Sequence, residues 1–369
     1  MAQDDFTLGV EEEFLVVDAT DGGLRPDGPA LLPAARDRLG KDVHLELHPT
    51  QLETNSPVAR TLAEVRTAVT GLRQGLAATL AGAGCRLAAS GTHPFCSWAE
   101  DPVVNPDYEI VEREYQQLAR EQVICGGHVH VGVGDPELAI AIVNRVRPWL
   151  APIVALAANS PFWGGRDTGY ASYRTELWRR WPTAGTPASF AGRADYEAVV
   201  DALFATGAID DHARIYWDVR PSAKFPTVEF RVADVGMTVD DAVMAAGLVR
   251  AVAVTAARDE RQGAPPVAVR PELLRAATWR AARYGINGEL VDVPARRALP
   301  ARTLITALLE RLRPALEDFG DWDEVNGLVN DRLSGGTAAD RQRAVFAATG
   351  DHRAVLRSIV EATTPGAAW

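Results

Sequence analysis

The sequence predicts an α+β fold in which a mainly antiparallel sheet is covered on one face by helices. Three observations lead there. About six strand-like segments fall mostly in the first two-thirds of the chain, with helical segments between and after them. Two of the strands, Arg214–Val219 and Thr227–Val232, are joined by a short Pro-containing connection, as antiparallel neighbours are. From Pro271 onward the pattern is almost wholly helical. No repeat or low-complexity linker divides the chain, so residues 1–369 read as one domain with a mostly helical part from about residue 271.

Phe6–Val17 is the first strand, rich in β-branched and aromatic residues. Alternation puts Glu11 and Glu13 on one face, and Val10, Glu12 and Phe14 on the other. Residues 18–33 hold Gly, Pro and Asp and read as a turn-containing loop, followed by a helical patch at Leu31–Leu39. Val43–His48 alternates apolar and polar residues, which aligns His44, Glu46 and His48, and Gln51–Thr54 adds Glu53. Thr61 and Glu64 form a capping box that opens an amphipathic helix over Leu62–Ala81. Arg86–Gly91 reads as a buried strand and Pro106–Arg120 as a polar helix. Gly126–Gly132 is a strand with His128 and His130 on one face. Asp135 and Pro136 then start a long apolar helix to about Ala158. Residues 159–192 show little periodicity, and a stretch that long without regular structure is usually functional. Asp195–Ala205 and Asp240–Glu260 are helical.

The balance of 38 basic against 49 acidic residues gives a net charge of −11, which argues against a general nucleic-acid or anionic-membrane surface. Cys85, Cys96 and Cys125 are scattered, with neither a disulfide framework nor a Cys-based zinc spacing. The first residues have no basic and apolar leader, and the most apolar run, Leu150–Ala158, is too short to span a bilayer. The expectation is a soluble, cytoplasmic protein.

Polar residues recur on otherwise apolar strands: Glu11 with Glu13, Glu46 and Glu53, His128 with His130, and Glu229 with Arg231. One i, i+2 pair is most simply a solvated strand face. Four strands carrying such groups would instead line one concave face. An oxygen-rich set suits Mg²⁺ or Mn²⁺ better than Zn²⁺. Arg231 fits either an internal ion pair or a bound phosphate or carboxylate. The chain has no P-loop, no G-x-S-x-G elbow and no H-E-x-x-H, so any phosphate would be met by metals and arginines.

Gly9-Val-Glu-Glu-Glu-Phe14, Gly127-His-Val-His-Val131, Asn159-Ser-Pro-Phe-Trp163, Asp167–Arg174, Pro182-Thr-Ala-Gly185 and Thr227–Asp234 together carry a family resemblance. The chain resembles the glutamate–cysteine ligase type 2, YbdK-like carboxylate–amine ligases of the glutamine synthetase/glutamate–cysteine ligase superfamily, from about residue 5 to 360. That resemblance implies a curved sheet forming an active-site funnel, ATP at one end and amino-acid substrates at the other. It also implies that Glu11, Glu13, Glu46, Glu53, His128 and Glu229 hold the divalent ions. His130 and Arg220 would contact ATP phosphates, and Arg231, beside Glu229, would stabilise the transferred phosphoryl group. Arg174 and Arg283 are expected at substrate carboxylates, on charge and location. The implied reaction is formation of an acyl phosphate from ATP and a carboxylate, then attack by an amine to give an amide. Glutamate and, by family default, cysteine are the substrates, Mg²⁺ (or Mn²⁺) the ion, and a homodimer the assembly. A phosphotransferase of the same fold, a His-based zinc hydrolase and a nucleotide-binding sensor are the competing readings. Product analysis and ATP dependence separate them.

Overall fold

A computed structural model describes residues 6–96, 109–212 and 214–366. The chain runs β1 (Leu8–Asp18), α1 (Gly28–Leu39), β2 (Val43–Leu45), β3 (Gln51–Asn55), α2 (Leu62–Ala81), β4 (Cys85–Ala88), α3 (Glu109–Tyr115), α4 (Gln117–Arg120), β5 (Gly126–Gly132), α5 (Pro136–Val146) and α6 (Leu150–Leu156). It continues with β6 (Phe162–Trp163), β7 (Arg166–Asp167), α7 (Tyr173–Trp178), α8 (Arg193–Ala205), β8 (Val219–Pro221), β9 (Thr227–Asp234), α9 (Val239–Arg261) and α10 (Pro271–Tyr284). A hairpin, β10 (Glu289–Asp292) and β11 (Arg297–Pro300), precedes α11 (Ala301–Asp318), α12 (Trp322–Gly335), α13 (Ala338–Thr349) and α14 (His352–Thr363).

The expected α+β architecture is present: an antiparallel sheet ordered β2-β3-β1-β5-β9-β8, with β4 also paired to β1. Leu8 and Val10 of β1, Val129 and Val131 of β5, and Val228, Phe230 and Val232 of β9 all face one core with α5, α6 and α9. Helices α10, α11 and α12 pack onto that same core through Leu274, Leu304, Leu308 and Val325. The opposite face therefore carries Glu11 and Glu13 of β1, His128 and His130 of β5, and Glu229 and Arg231 of β9. That face is concave. Lys224, in the turn between β8 and β9, and Tyr216, just ahead of β8, act electrostatically on His44 of β2 and Glu46 beyond it, although these lie at opposite ends of the sheet order.

Several segments depart from the sequence reading. The apolar helix after Asp135 breaks at Arg147–Trp149, because Pro148 has no N–H to donate and its ring crowds the preceding turn. Among the described residues that span, Pro136–Leu156, is the one long and apolar enough to cross a membrane, and 78% of its most apolar stretch is buried in the protein. Strand β2 ends at Leu45, so His44, Glu46 and His48 do not share a face; His48 turns inward to the Ala119 carbonyl at 2.9 Å. Only Val219 of the expected strand Arg214–Val219 lies in β8, the preceding residues being loop. The expected strand Arg86–Gly91 is paired only over Cys85–Ala88, and the helix expected from Pro106 divides into α3 and α4, with residues 106–108 outside the described residues. The aperiodic middle segment contains the β6–β7 hairpin and α7, and the helical C-terminal part is interrupted by the β10–β11 hairpin.

Candidate active site

Antiparallel register brings the polar residues opposite one another. Glu11 of β1 pairs with His128 of β5, Glu13 with Glu53 of β3, His130 with Glu229 of β9, and Arg220 of β8 with Glu229. Directly opposite residues put their side chains on the same face. A bulge between β5 and β9 at Gly127–Val129 sets two β9 residues, Arg231 and Val232, against one of β5.

Two groups of ligand atoms result. Glu11, His130 and Glu229 bring one oxygen or nitrogen each within 4.8 Å of one another, and Glu13, Glu46 and Glu53 do the same. His128 stands between the groups, its Nδ1 3.1 Å from Glu11 and its Nε2 3.6 Å from Glu13. His130 Nε2 lies 3.1 Å from Glu11, and its Nδ1 meets the Thr227 hydroxyl at 2.9 Å. The backbone N–H of Gly126 donates to Glu13 at 2.5 Å.

Electrostatics separate the two groups. Burial works against ionisation of Glu11, but hydrogen bonds from His128 and His130 outweigh it and hold its carboxyl well below the usual range. Burial likewise opposes the charge on Glu229, where the Arg231 and Arg220 guanidiniums prevail and lower its pKa. Arg220 reaches Glu229 at 3.0 Å, and Arg231 pairs with the other oxygen. Glu53 goes the other way: burial, then repulsion from Glu11, Glu46 and Glu13, raises its pKa well above normal. Burial, followed by the charge of Arg231, lowers that of His128.

This set fits divalent cations. Three carboxylates gathered in a buried site repel each other unless a cation lies between them. His128 Nε2 is buried without a hydrogen-bond partner, 3.6 Å from the Glu13 carboxylate. Such an atom is the lone-pair donor a metal uses. The predominance of oxygen suits a hard ion.

Arg174 lies beyond the Glu13 end. It is on α7, whose first turn is capped by the Ser172 hydroxyl; Ser172 in turn donates to buried Asp234 at 2.7 Å. Only 2% of Arg174 is exposed, yet among the described residues no carboxylate lies within ion-pair distance of it, and its Nε has no hydrogen-bond partner. Its guanidinium is 5.8 Å from the ring of Trp178, and that of Arg231 is 5.4 Å from the same ring. Gly126 makes room for it: a Cβ there would stand 2.2 Å from Arg174 Nη2. Arg283 is placed differently. It donates to the Gly169 carbonyl and stacks on Tyr170 and Tyr284, in a surface cleft with Asp167, Asn287 and Arg343. Among the described residues no contact joins it to the acidic face.

Sequence reasoning missed two features. Glu12, on the core face of β1, pairs with Arg73 of α2 at 2.5 Å, both wholly buried. Arg73 lies on the buried stripe of α2 next to Leu72 and Leu76, and a charge on such a stripe signals a buried partner. Trp178, between the two arginines, carried no periodic signal at all.

Comparisons with known proteins show the family and the fold. The model of glutamate–cysteine ligase family 2 (GCS2) matches residues 7–358. A Frankia alni protein provisionally named glutamate–cysteine ligase 2-2 is 44% identical over 97% of both chains. One from Rhodopirellula baltica, provisionally named glutamate–cysteine ligase 2, is 42% identical over 98% of both. Among solved structures, a bifunctional glutathione synthetase from Pasteurella multocida superposes with a TM-score of 0.69 at 16% identity, over 97% of this chain and 51% of that one. A Francisella tularensis glutamate–cysteine ligase in complex with AMP gives 0.69 at 10% identity, over 97% and 89%. At those identities the likeness is one of fold.

Proposed function

The chain belongs to glutamate–cysteine ligase family 2, and from that premise we propose that it joins a carboxylic acid to an amine in an ATP-dependent reaction that passes through an acyl phosphate. Glutamate is the acid we propose, with cysteine as the default amine. The observation that carries the reading is the pair of converging ligand groups on one concave face, with Arg231 between them and, at one end, Arg174, which has no carboxylate partner among the described residues.

Glu11, His130 and Glu229 would hold one divalent ion and Glu13, Glu46 and Glu53 another, with His128 available to both. Bound Mg²⁺ or Mn²⁺ supplies charge neutralisation for the triphosphate and polarises its terminal phosphoryl group. Every other role falls to side chains of the chain. Arg220, at the Thr227 end beside His130, meets phosphate oxygens of ATP. Arg174, at the Gly126 end, receives a carboxylate of the acid, which gives that buried guanidinium its missing counter-charge. Arg231 lies between these ends, where the acid's carboxylate oxygen attacks the γ-phosphorus and ADP leaves. Charge developing on the transferring group is offset there by a guanidinium that Glu229 holds in place. The amine then attacks the acyl carbon, loses a proton and displaces phosphate. Arg283 receives no substrate role, since the Gly169 carbonyl and two tyrosine rings already occupy it.

We take the working form to be a homodimer in the cytoplasm, a reducing compartment in which Cys85, Cys96 and Cys125 stay in the thiol form. Light scattering tests the assembly. The reaction is tested by phosphate release from ATP and Mg²⁺ with glutamate fixed and amines supplied singly, the amide being identified by mass spectrometry. Amine-stimulated release with a matching amide is expected. Absence of acid-dependent ADP formation with every acid tried would remove the ligase reading, and a stable phosphorylated product without amide would replace it with phosphotransfer.

A further inference from the structure

The turn between β8 and β9 has no part in the reaction described above, yet it stands at the rim of the concave face. Its backbone is held firmly. Ser222 Oγ accepts from the N–H groups of Lys224 and Phe225, both at 3.3 Å, and Val133 beyond β5 donates to Pro226 O at 2.9 Å. Phe225 is presented by this turn with 58% of its surface exposed, and its ring lies edge-on to that of His130, 6.3 Å between centroids. Single exposed aromatics are common and need no explanation. Phe225 differs in being held by its turn beside an imidazole of the phosphate-binding end, with more than half of its surface open.

Charge points the same way. Lys224 is one of two lysines in a chain whose basic residues otherwise are arginine, and it acts on His44 across the mouth of the sheet. In a protein of net charge −11, this rim bears a local positive charge suited to an anion.

We propose that Phe225 is the base platform of the nucleotide site: the purine of ATP stacks on its ring while the phosphates run inward past His130. The inference rests on the ligase reading above. A ring face takes any base by stacking, so Phe225 contributes affinity for the nucleoside part and nothing to the phosphates.

The test is equilibrium binding of Mg·ADP and of Mg·tripolyphosphate, by calorimetry and without turnover, to the wild-type chain, Phe225→Ala and Phe225→Trp. The alanine variant is expected to bind ADP about tenfold more weakly or worse. The tryptophan variant should restore affinity, and tripolyphosphate should not distinguish the three. Wild-type ADP affinity in Phe225→Ala, or equal losses for ADP and tripolyphosphate, would overturn the platform while leaving the ligase reading standing. Failure of the wild-type chain to bind ADP at all would overturn both.

Discussion

Arg73 and Arg174 are both buried to within 2% of completely, and replacing each by methionine should shift stability in opposite directions. Arg73 is fully partnered. It meets Glu12 through two hydrogen bonds, at 2.5 and 3.0 Å, and donates to the carbonyls of Gly236, Met237 and Thr363. Arg73→Met leaves the Glu12 carboxylate buried without a counter-charge, a loss of about 3–5 kcal/mol. With an unfolding entropy of about 2.1 cal/mol/K per residue, that lowers Tm of a chain this long by about 4–6 °C. Among the described residues Arg174 has no ion-pair partner, so its burial is a penalty that an acid bound there would relieve. Arg174→Met should therefore raise Tm by about 1–3 °C, while KM for the acid rises at least about tenfold. Differential scanning calorimetry with and without saturating acid reads both effects. The acid should raise Tm of the wild-type chain and leave that of Arg174→Met unmoved. A fall in Tm of similar size in both variants would refute the reasoning, because it would mean that Arg174 is satisfied within the free protein.

Glu229→Gln should abolish turnover while far-UV circular dichroism stays native; near-normal turnover would remove the residue from the metal set. Arg231→Ala should lower kcat far more than it weakens ATP binding, and an unchanged maximal rate would sink its role at the transferring phosphoryl group. Gly126→Ala should raise KM for the acid by at least about tenfold, since the added Cβ displaces the Arg174 guanidinium, whereas unchanged kinetics would place the acid elsewhere. His93 is buried with Nε2 donating to Gly22 O and Nδ1 accepting from the N–H groups of Phe95 and Cys96, and burial lowers its pKa to about 4. The unfolded chain, with an ordinary histidine pKa of about 6.5, binds the proton first. Stability is thus complete above that value and declines as pH falls towards 4, by about 3 kcal/mol from this residue. Urea unfolding at pH 7.5, 5.5 and 4.5 should show a smaller decline in His93→Gln, and identical declines would exclude the residue as the cause.

By itself the sequence determined which side chains share a face. Alternation along a strand is enough to align Glu11 with Glu13, His128 with His130 and Glu229 with Arg231, whichever strands they pair with. The capping box at Thr61 and Glu64 and the helix it opens were legible for the same reason, as both depend on neighbours within one turn. What only the tertiary structure decided is who meets whom across strands. Register set Glu11 opposite His128 and His130 opposite Glu229, and the six candidate ligand residues fall into two groups. Pairing of β2 with β3 set Glu46, just beyond the end of β2, near Glu53 and Glu13, although the pattern of its own segment had aligned it with His48. Strand pairing and register are not encoded locally, since both arise from the packing of long-range partners. The arginines show the same limit. Arg73, Arg174 and Arg283 look alike in sequence, and only their surroundings make one a buried ion pair, one a buried guanidinium without a carboxylate partner among the described residues, and one a surface bracket between tyrosines.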